Sequence, residues 1–202
     1  MAWVTGCETM PDAKARTAAQ WQQQHQEFRG GEGWRRTSYV NPEVVEKLAP
    51  ETVSIVVYLD EQRGQLLYRD KHVAMDFPIS SGRRGFRTET GEYQVIDKHR
   101  NHASNLYGNI VEKEGGRVLK TNADVRRDEV PEGAKFVGSP MPYFLRLTNT
   151  GLGLHVGTLP GHAASHGCIR VPGSVMPRIF ELSPRGTPVV IRESAPSMPT
   201  DA

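Results

Sequence analysis

The sequence predicts a mainly β domain, either a sandwich or a barrel, from two observations. Short runs of β-branched and apolar residues recur from residue 52 onward, and clusters of Gly, Asp, Ser and Pro separate them at spacings typical of sheet turns. Hydrophobic residues make up 37% of the 202 residues, which is enough for one core. We therefore expect one medium-sized domain with additional terminal segments.

Residues 1–50 are predicted to form an N-terminal arm, partly helical, beside that domain. The stretch 12–28 is rich in Ala, Gln and Lys and favours a polar helix, which the glycines of 30–33 end. The stretch 41–48 begins with Asn-Pro, a start signal for a second, shorter helix.

The composition changes at Thr52, and residues 51–193 are predicted to be the folded domain. Its strands are expected at 53–59, 65–69, 73–79, 92–97, 143–147, 152–156 and 187–191. A helix is expected from Val175 to Leu182, with Ser174 as its N-cap. Residues 194–202 are predicted to be a flexible tail.

The segment 99–140 shows no regular strand pattern. So long an irregular stretch inside a compact domain is more often functional than idle, which favours a lid or a substrate wall. A surface insertion is the alternative, and the length of the segment does not distinguish the two.

Charge and hydropathy argue against two classes of protein. The net charge of +2 is too small to indicate a nucleic-acid partner, so none is predicted. The sequence has no apolar run of the length, about 18 residues, that a membrane-spanning helix needs.

The two cysteines lie in different contexts. Cys7 ends the sequence Val-Thr-Gly-Cys, which resembles the end of a bacterial lipoprotein signal, so Cys7 is a candidate site of lipidation and membrane anchoring. The residues before it lack the basic start and apolar stretch of a signal peptide, which makes a chance match the alternative. A disulfide between Cys7 and Cys168 is conceivable in an oxidising compartment.

Cys168 lies in the segment HVGTLPGHAASHGCIRVP, residues 155–172, which also holds three of the seven histidines. A cysteine attacks as a thiolate, and a neighbouring imidazole takes its proton. His155 ends a predicted strand, which suits a base that must be held in place. His166 lies two residues before the sulfur, where extended side chains point the same way. We therefore predict that Cys168 is a nucleophile with one of these histidines as its base.

Gly167, Ser165 and Arg170 complete the predicted site. Gly167 lets the chain turn sharply, so that the backbone N–H groups of residues 166–168 converge as an oxyanion hole. Ser165 is expected to orient a histidine through a hydrogen bond. Arg170 is expected either to bind a substrate carboxylate or to form a salt bridge within the fold.

Two other interpretations of this segment stay open. His155, His162, His166 and Cys168 are residue types that bind zinc, but neighbouring glycines disfavour the helix that the histidine spacing needs, so no metal or other cofactor is predicted. A buried, inert cysteine is the second interpretation, although the Ser-His-Gly-Cys sequence is unlike a core strand.

These motifs resemble the L,D-transpeptidase catalytic domain, also called YkuD, of bacterial cell-wall enzymes. The central motif is Ser165-His166-Gly167-Cys168-Ile169-Arg170, preceded by His155 in Leu-His-Val-Gly-Thr. Further matching segments, in the order of the family, are 77–82, 88–93, 104–108, 141–144 and 186–189. The resemblance covers about residues 52–192.

The resemblance implies a β-sandwich with a mixed sheet and a few short helices. It also implies an acyl transfer in which Cys168 attacks the carbonyl between an L-centred diamino acid and the terminal D-alanine of a peptidoglycan stem peptide. His155 is then the base, and backbone groups of residues 166–168 hold the oxyanion. Further implied substrate contacts are Arg170, Tyr143 and Met141. A periplasmic or cell-envelope location follows from that substrate, and carbapenems are expected to acylate the cysteine.

The acceptor and the oligomeric state stay open. A transpeptidase transfers the acyl group to an amine of a second stem or of a protein, giving a 3→3 cross-link or an attached protein. An L,D-carboxypeptidase transfers it to water, and the two share one acyl-enzyme. An inactive wall-binding module is the third alternative, which the presence of both Cys168 and His155 disfavours.

Overall fold

The structure, a computed structural model, describes residues 16–195. Two β-sheets pack face to face around one core, and a third, smaller sheet lies beside them. This arrangement confirms the predicted mainly β sandwich with a few short helices. Among the described residues, no helix combines the length and the hydrophobicity needed to cross a bilayer.

The helices are α1 (Ala18–Gly30), α2 (Pro42–Val45) and α3 (Met176–Leu182), with a 3₁₀ turn at Trp34–Arg36. The strands are β1 (Tyr39–Val40), β2 (Val53–Tyr58), β3 (Arg63–Tyr68), β4 (His72–Pro78), β5 (Gly91–Gln94), β6 (Asp97–His99), β7 (Ala103–Glu112), β8 (Val118–Asp124), β9 (Ala134–Pro140), β10 (Phe144–Arg146), β11 (Gly153–Val156), β12 (Ile169–Val171) and β13 (Pro188–Arg192).

Both large sheets are mixed. The first has six strands in the order β1-β4-β3-β2-β13-β5, and the second has four in the order β12-β11-β10-β6. β13 runs parallel to β2, and β12 runs parallel to β11. Their other neighbouring strands are antiparallel. The parallel pair β11–β12 is the one that positions the site.

The core lies between the two large sheets and α3. Ile55 and Leu66 from the first sheet, Leu154 and Ile169 from the second, and Ile179 from α3 are all completely buried. Each such side chain stabilises the fold by about 1.5–3 kcal/mol when it leaves water. Because successive residues of a strand face opposite sides, burying Leu154 and Ile169 directs their neighbours out of the core.

The segment 99–140 is not irregular, and that prediction was wrong. It forms a three-stranded antiparallel sheet in the order β8-β7-β9, with a small core of Ile110, Ala123 and Ala134. Much of β8 is exposed, and both strand pairs contain register shifts. A sheet without a continuous buried face has no strict alternation of apolar residues, so its sequence lacks the usual strand signal.

Two smaller predictions also need correction, and one strand was missed. The strand expected at 92–97 is two strands, because β5 ends at Gln94 and joins the first sheet whereas β6 joins the second. β12 was not predicted, since it has only three residues and follows a glycine-rich loop. Ser174 does not cap α3, whose N-cap residue is Val175 without a side-chain cap hydrogen bond.

The N-terminal segment contacts the first sheet. The N-cap of α1 is Thr17, whose hydroxyl accepts from the Gln20 N–H, while the Gln20 side chain accepts from the Thr17 N–H at 2.8 Å. The start predicted for this helix, at residue 12, lies outside the described residues. α2 differs from the predicted arm because Val44 and Val45 are buried in the main core. The domain boundary at residue 51 stays a prediction.

A buried polar cluster, which we call the Asp76 cluster, joins α1 to β3 and β4. It comprises Asp76, Arg63, His25 and Gln65. The Arg63 Nε donates to Asp76 Oδ1 at 2.7 Å, and His25 Nε2 and Gln65 Nε2 lie 2.7 and 3.1 Å from Asp76 Oδ2. Burial alone would raise the pKa of Asp76, but the His25 hydrogen bond and the positive charges of Arg63 and Arg29 hold it below its usual value.

Candidate active site

The site is built on one face of the parallel pair β11–β12. Leu154 pairs with Ile169, and both side chains point into the core. His155 pairs with Arg170, so these two side chains point to the opposite face. Cys168 lies two residues before Arg170, immediately ahead of β12, and shares its face. One register therefore brings His155, Cys168 and Arg170 together.

A cavity of about 1120 Å³ opens on that face. The loops 148–152 and 165–168 form part of its wall, and the third sheet contributes Tyr107, Asn122 and Ser139. His155, Cys168 and Arg170 all line it. The segment 99–140 thus forms a wall of the cavity, which was one of the two alternatives that the sequence left open.

His155 is buried and held by its own strand. Its Nδ1 lies 2.8 Å from the carbonyl oxygen of Val156, an arrangement that requires Nδ1–H to donate and leaves Nε2 as a free acceptor. Burial lowers the pKa of His155 to about 4, an effect opposed by the Val156 hydrogen bond and reinforced by the charge of Arg170. The imidazole is therefore neutral at physiological pH.

Cys168 is a free, largely buried thiol. Its sulfur donates to the carbonyl oxygen of Gly151 at 3.2 Å. Burial raises the pKa of the Cys168 thiol, and the backbone hydrogen bond from Gly153 and the charges of Arg146 and Arg170 only partly oppose this effect. The resting state is a neutral thiol beside a neutral imidazole.

His155 and Cys168 occupy diagonal positions on adjacent strands. Neighbouring strands lie about 4.8 Å apart and residues rise about 3.3 Å each along a strand, so side chains at such positions can meet. No hydrogen bond joins the two within residues 16–195, because the thiol points to Gly151. A rotation about the Cα–Cβ bond is the motion available to bring the sulfur towards the imidazole.

The loop before Cys168 is held by side-chain hydrogen bonds. The buried Ser165 hydroxyl donates to the Cys168 carbonyl oxygen at 2.5 Å and accepts from the Gly167 N–H at 3.0 Å. Thr88 donates to the Gly167 carbonyl oxygen at 2.7 Å. Gly167 has φ +118°, a conformation that other residues avoid. The prediction that Ser165 orients a histidine was therefore wrong, since it bonds the backbone.

His166 is engaged on the other side of this loop. The Arg83 guanidinium donates to its Nε2 at 2.9 Å, and the ring stacks on Tyr107 with centroids 4.2 Å apart. Phe86 packs against it edge-on. Burial and the charge of Arg83 lower the pKa of His166. Arg83 thus occupies the Nε2 acceptor of His166, whereas Nε2 of His155 accepts no hydrogen bond within the described residues.

Of the three predicted substrate contacts, two line the cavity. Arg170 lines the cavity, with its aliphatic stem packed against Gly157, where a Cβ would come within 2.7 Å of it. Arg170 forms no salt bridge with any residue of the described chain, so the salt-bridge alternative is not observed. Met141 lines the cavity as well. Tyr143 is not among the residues that line the cavity, and its ring packs on Phe180 of α3 with centroids 5.6 Å apart. Its role as a substrate contact stays a prediction.

Sequence reasoning missed two cavity residues next to the predicted ones. Arg146 on β10 lines the cavity, as does His102, whose ring stacks on Phe144 at 4.5 Å. Alternation along 145–147 was the available signal, because Leu145 and Leu147 are buried in the core and Arg146 must face the other way. His102 belongs to a segment whose strands the sequence did not reveal.

The proposed zinc ligands do not form a metal cluster. Within residues 16–195, no group of three or more His, Cys, Asp or Glu side chains is arranged to hold a metal ion. Cys7, the candidate lipidation site, lies outside the described residues, and its modification stays a prediction.

A sequence model of the L,D-transpeptidase catalytic domain matches residues 52–191. No curated protein sequence matches the chain significantly.

Several solved structures share the fold. An L,D-transpeptidase from Mycobacterium smegmatis is 15% identical with a TM-score of 0.51, covering 70% of this chain and 58% of that one. An L,D-transpeptidase from Stackebrandtia nassauensis is 19% identical with a TM-score of 0.51, covering 76% and 62%. A mutant L,D-transpeptidase from Enterococcus faecium is 26% identical with a TM-score of 0.50, covering 70% and 50%.

The matched region spans only 50–62% of the length of these three proteins. The family assignment rests instead on the sequence model, which covers more than half of this chain and includes both His155 and Cys168. The protein therefore belongs to the L,D-transpeptidase catalytic domain family, also called YkuD.

Proposed function

We propose that the protein is a cysteine acyltransferase, an L,D-transpeptidase acting on peptidoglycan stem peptides. One observation carries this proposal: the register of β11 and β12 places His155 and Cys168 on the same face of a large cavity, in a chain of this family. The cell envelope is the proposed site of action, because peptidoglycan lies there.

In the first step the Cys168 thiol turns from Gly151 and gives its proton to Nε2 of His155. The sulfur attacks the carbonyl between the L-centred diamino acid and the terminal D-alanine of the stem. A neutral imidazole is the form that accepts this proton, and the low pKa of His155 keeps it neutral. General-base activation is required because burial raises the pKa of Cys168 and disfavours a resting thiolate.

The carbonyl oxygen acquires negative charge in the tetrahedral intermediate. The Gly167 N–H donates to Ser165, so the N–H groups of His166 and Cys168 are the donors proposed for the oxyanion hole. The carbon–nitrogen bond then breaks, His155 returns its proton to the departing amine, and free D-alanine leaves a thioester on Cys168.

The second step repeats the chemistry with a new nucleophile. An acceptor amine loses a proton to His155 and attacks the thioester carbonyl, which regenerates the Cys168 thiol and forms the new amide bond. Water in place of the amine gives the carboxypeptidase reaction. Arg170 is proposed to bind a substrate carboxylate, since it lines the cavity without an acidic partner in the described chain.

The test is to incubate purified protein with tetrapeptide stem fragments, with and without a D-amino acid such as D-methionine, and to separate the products by mass spectrometry. Exchange of the terminal D-alanine for D-methionine demonstrates transfer, and tripeptide alone demonstrates hydrolysis. The Cys168→Ala variant is the matched control and should yield neither product. Absence of both products with wild-type protein would contradict the proposal.

A second measurement identifies the nucleophile directly. Imipenem, a carbapenem, should add its mass to the wild-type protein, and the modified peptide should contain Cys168. The variant Cys168→Ala, which retains Cys7, should stay unmodified. An adduct on Cys7 alone would contradict the assignment of Cys168.

A further inference from the structure

Arg146 is another positively charged residue at the cavity that holds Cys168. It lies on β10, lines the same cavity as Cys168, and rests its guanidinium 5.2 Å from the centre of the Phe144 ring. The reaction steps described above do not use it. A charged side chain in a cavity usually has an acidic partner, so its surroundings are informative.

The acidic residue opposite Arg146 in the sheet is already paired. Asp97 on β6 lies opposite Arg146 in the antiparallel register. Its carboxylate instead contacts Arg185 and, at 2.8 Å, His99. Within the described residues, no carboxylate forms a salt bridge with Arg146. The guanidinium is therefore free to bind an anion that enters the cavity.

The sheet register places Arg146 in line with Cys168. Arg146 pairs with Gly153 on β11, and Gly153 lies one residue before the pair Leu154–Ile169, so it stands beside Cys168. Cys168, Gly153 and Arg146 thus form one row across three strands. The backbones of Cys168 and Arg146, at the two ends of this row, are about 10 Å apart.

Glycine at the centre of the row makes room for the Phe144 ring. A Cβ at Gly153 would come within 2.4 Å of the Leu145 carbonyl oxygen and of that ring. The Arg146 guanidinium rests on the same ring, at the wall of the cavity that Cys168 also lines. The charge of Arg146 also acts on the sulfur, since it opposes the rise in the pKa of Cys168.

The leaving group of the proposed reaction carries an anion close to the scissile bond. In a terminal D-alanine only the amide nitrogen and the α-carbon separate the attacked carbonyl from the free carboxylate. When the sulfur is in contact with that carbonyl, the carboxylate therefore lies within a few ångströms of it. Guanidinium groups bind carboxylates through two parallel hydrogen bonds.

We propose that Arg146 binds the free terminal carboxylate of the donor stem and restricts the enzyme to stems that end one residue after the scissile bond. This inference rests on the proposed function. Arg146 is a specificity-determining residue, whereas Arg170, along the strand from Cys168, is left for another carboxylate of the stem.

The experiment compares two donors that differ only at the C-terminus, a tetrapeptide ending in D-alanine and the same peptide ending in D-alanine amide. The measured quantity is kcat/KM for release of the last residue. Wild-type protein should favour the free acid. In Arg146→Gln, kcat/KM for the free acid should fall about 10- to 100-fold, the value of a hydrogen bond to a charged group. The amide donor should change less than about threefold.

Three controls distinguish a loss of carboxylate binding from a general effect of charge, a blocked thiol or an unfolded variant. Arg178→Gln removes the same charge from an exposed position on α3 and should leave both donors unchanged. Alkylation of Cys168 by neutral iodoacetamide, located by peptide mapping, shows whether the thiol of Arg146→Gln is still accessible. The thermal transition of each variant shows whether it is folded.

Equal losses for the two donors in Arg146→Gln would overturn the role of Arg146 while leaving the proposed function intact. Loss of discrimination in Arg170→Gln but not in Arg146→Gln would also overturn it and give the role to Arg170. No release from either donor by wild-type protein would instead contradict the proposed function itself.

Discussion

The two large sheets both carry polar groups away from bulk water, but they treat those groups differently. In the Asp76 cluster on the first sheet, the carboxylate contacts Arg63, His25 and Gln65. On the second sheet, the cavity groups Cys168, His155, Arg146 and Arg170 lack any acidic partner among the described residues. The carboxylate of the first set is paired with protein groups, whereas the second set holds two guanidinium groups without an acidic partner among the described residues.

This difference separates a structural role from a functional one. Charges that leave water must be compensated, and within the Asp76 cluster the protein itself supplies the compensation. In the cavity the compensation is incomplete, and a bound substrate would complete it. Burial also determines the protonation state of each reactive group, because desolvation favours a neutral imidazole on His155 and a neutral thiol on Cys168.

The largest expected effect is on catalysis with little effect on stability. Cys168→Ala should lower the rate of D-alanine release by at least about 10³-fold, because it removes the sulfur that is proposed to form the thioester. Its free energy of unfolding, measured by urea denaturation, should stay within about 1 kcal/mol of wild type, since the residue sits at the cavity wall. A variant that unfolds readily would show that the site is also structural.

The converse effect is expected for the Asp76 cluster. Asp76→Ala leaves Arg63 buried without its carboxylate and should lower the free energy of unfolding by about 3–5 kcal/mol in urea denaturation. The folded fraction should keep its activity. Glu129→Ala, which removes an exposed carboxylate, is the control and should change stability by less than about 0.5 kcal/mol. Similar losses in the two variants would contradict the comparison.

The pH dependence of stability should reveal the burial of His155. Its pKa is about 4 in the folded protein and near 6.5 in the unfolded chain, so between these values the unfolded state binds more protons. Stability should therefore rise with pH across that window, by about 3 kcal/mol from this residue.

His155→Gln supplies the control for that measurement, because glutamine does not titrate. The difference in free energy of unfolding between wild type and His155→Gln should itself change with pH between about 4 and 6.5. A difference that is constant across this range would show that the imidazole is not desolvated.

The smallest expected effect concerns the helix that closes the Asp76 cluster. Thr17→Ala removes the N-cap hydroxyl of α1 and should lower stability by about 1 kcal/mol, with faster amide exchange in α1. Gln22→Ala, at an exposed position of the same helix, removes no cap and is the control. Unchanged exchange in Thr17→Ala would show that contacts with the first sheet alone order the helix.

Predictions from the sequence succeeded where a pattern is local. The buried strands β2, β4 and β11 follow from their apolar runs, and the central motif around Cys168 identified the segment that faces the cavity. They failed where the pattern is weak. The third sheet has little buried surface, so β7, β8 and β9 carry no clear periodicity.

The sequence by itself determined a mainly β domain, the family that it resembles and the presence of a cysteine with histidines in one short segment, because those features depend on strand periodicity and residue types close in the chain. Only the tertiary structure decided which histidine is available. Arg83, on a loop distant in the chain, donates a hydrogen bond to Nε2 of His166, whereas the register of β11 with β12 turns His155 towards the side of Cys168. The tertiary structure also placed Arg146 at the cavity, because contacts between strands depend on a register that no local pattern encodes.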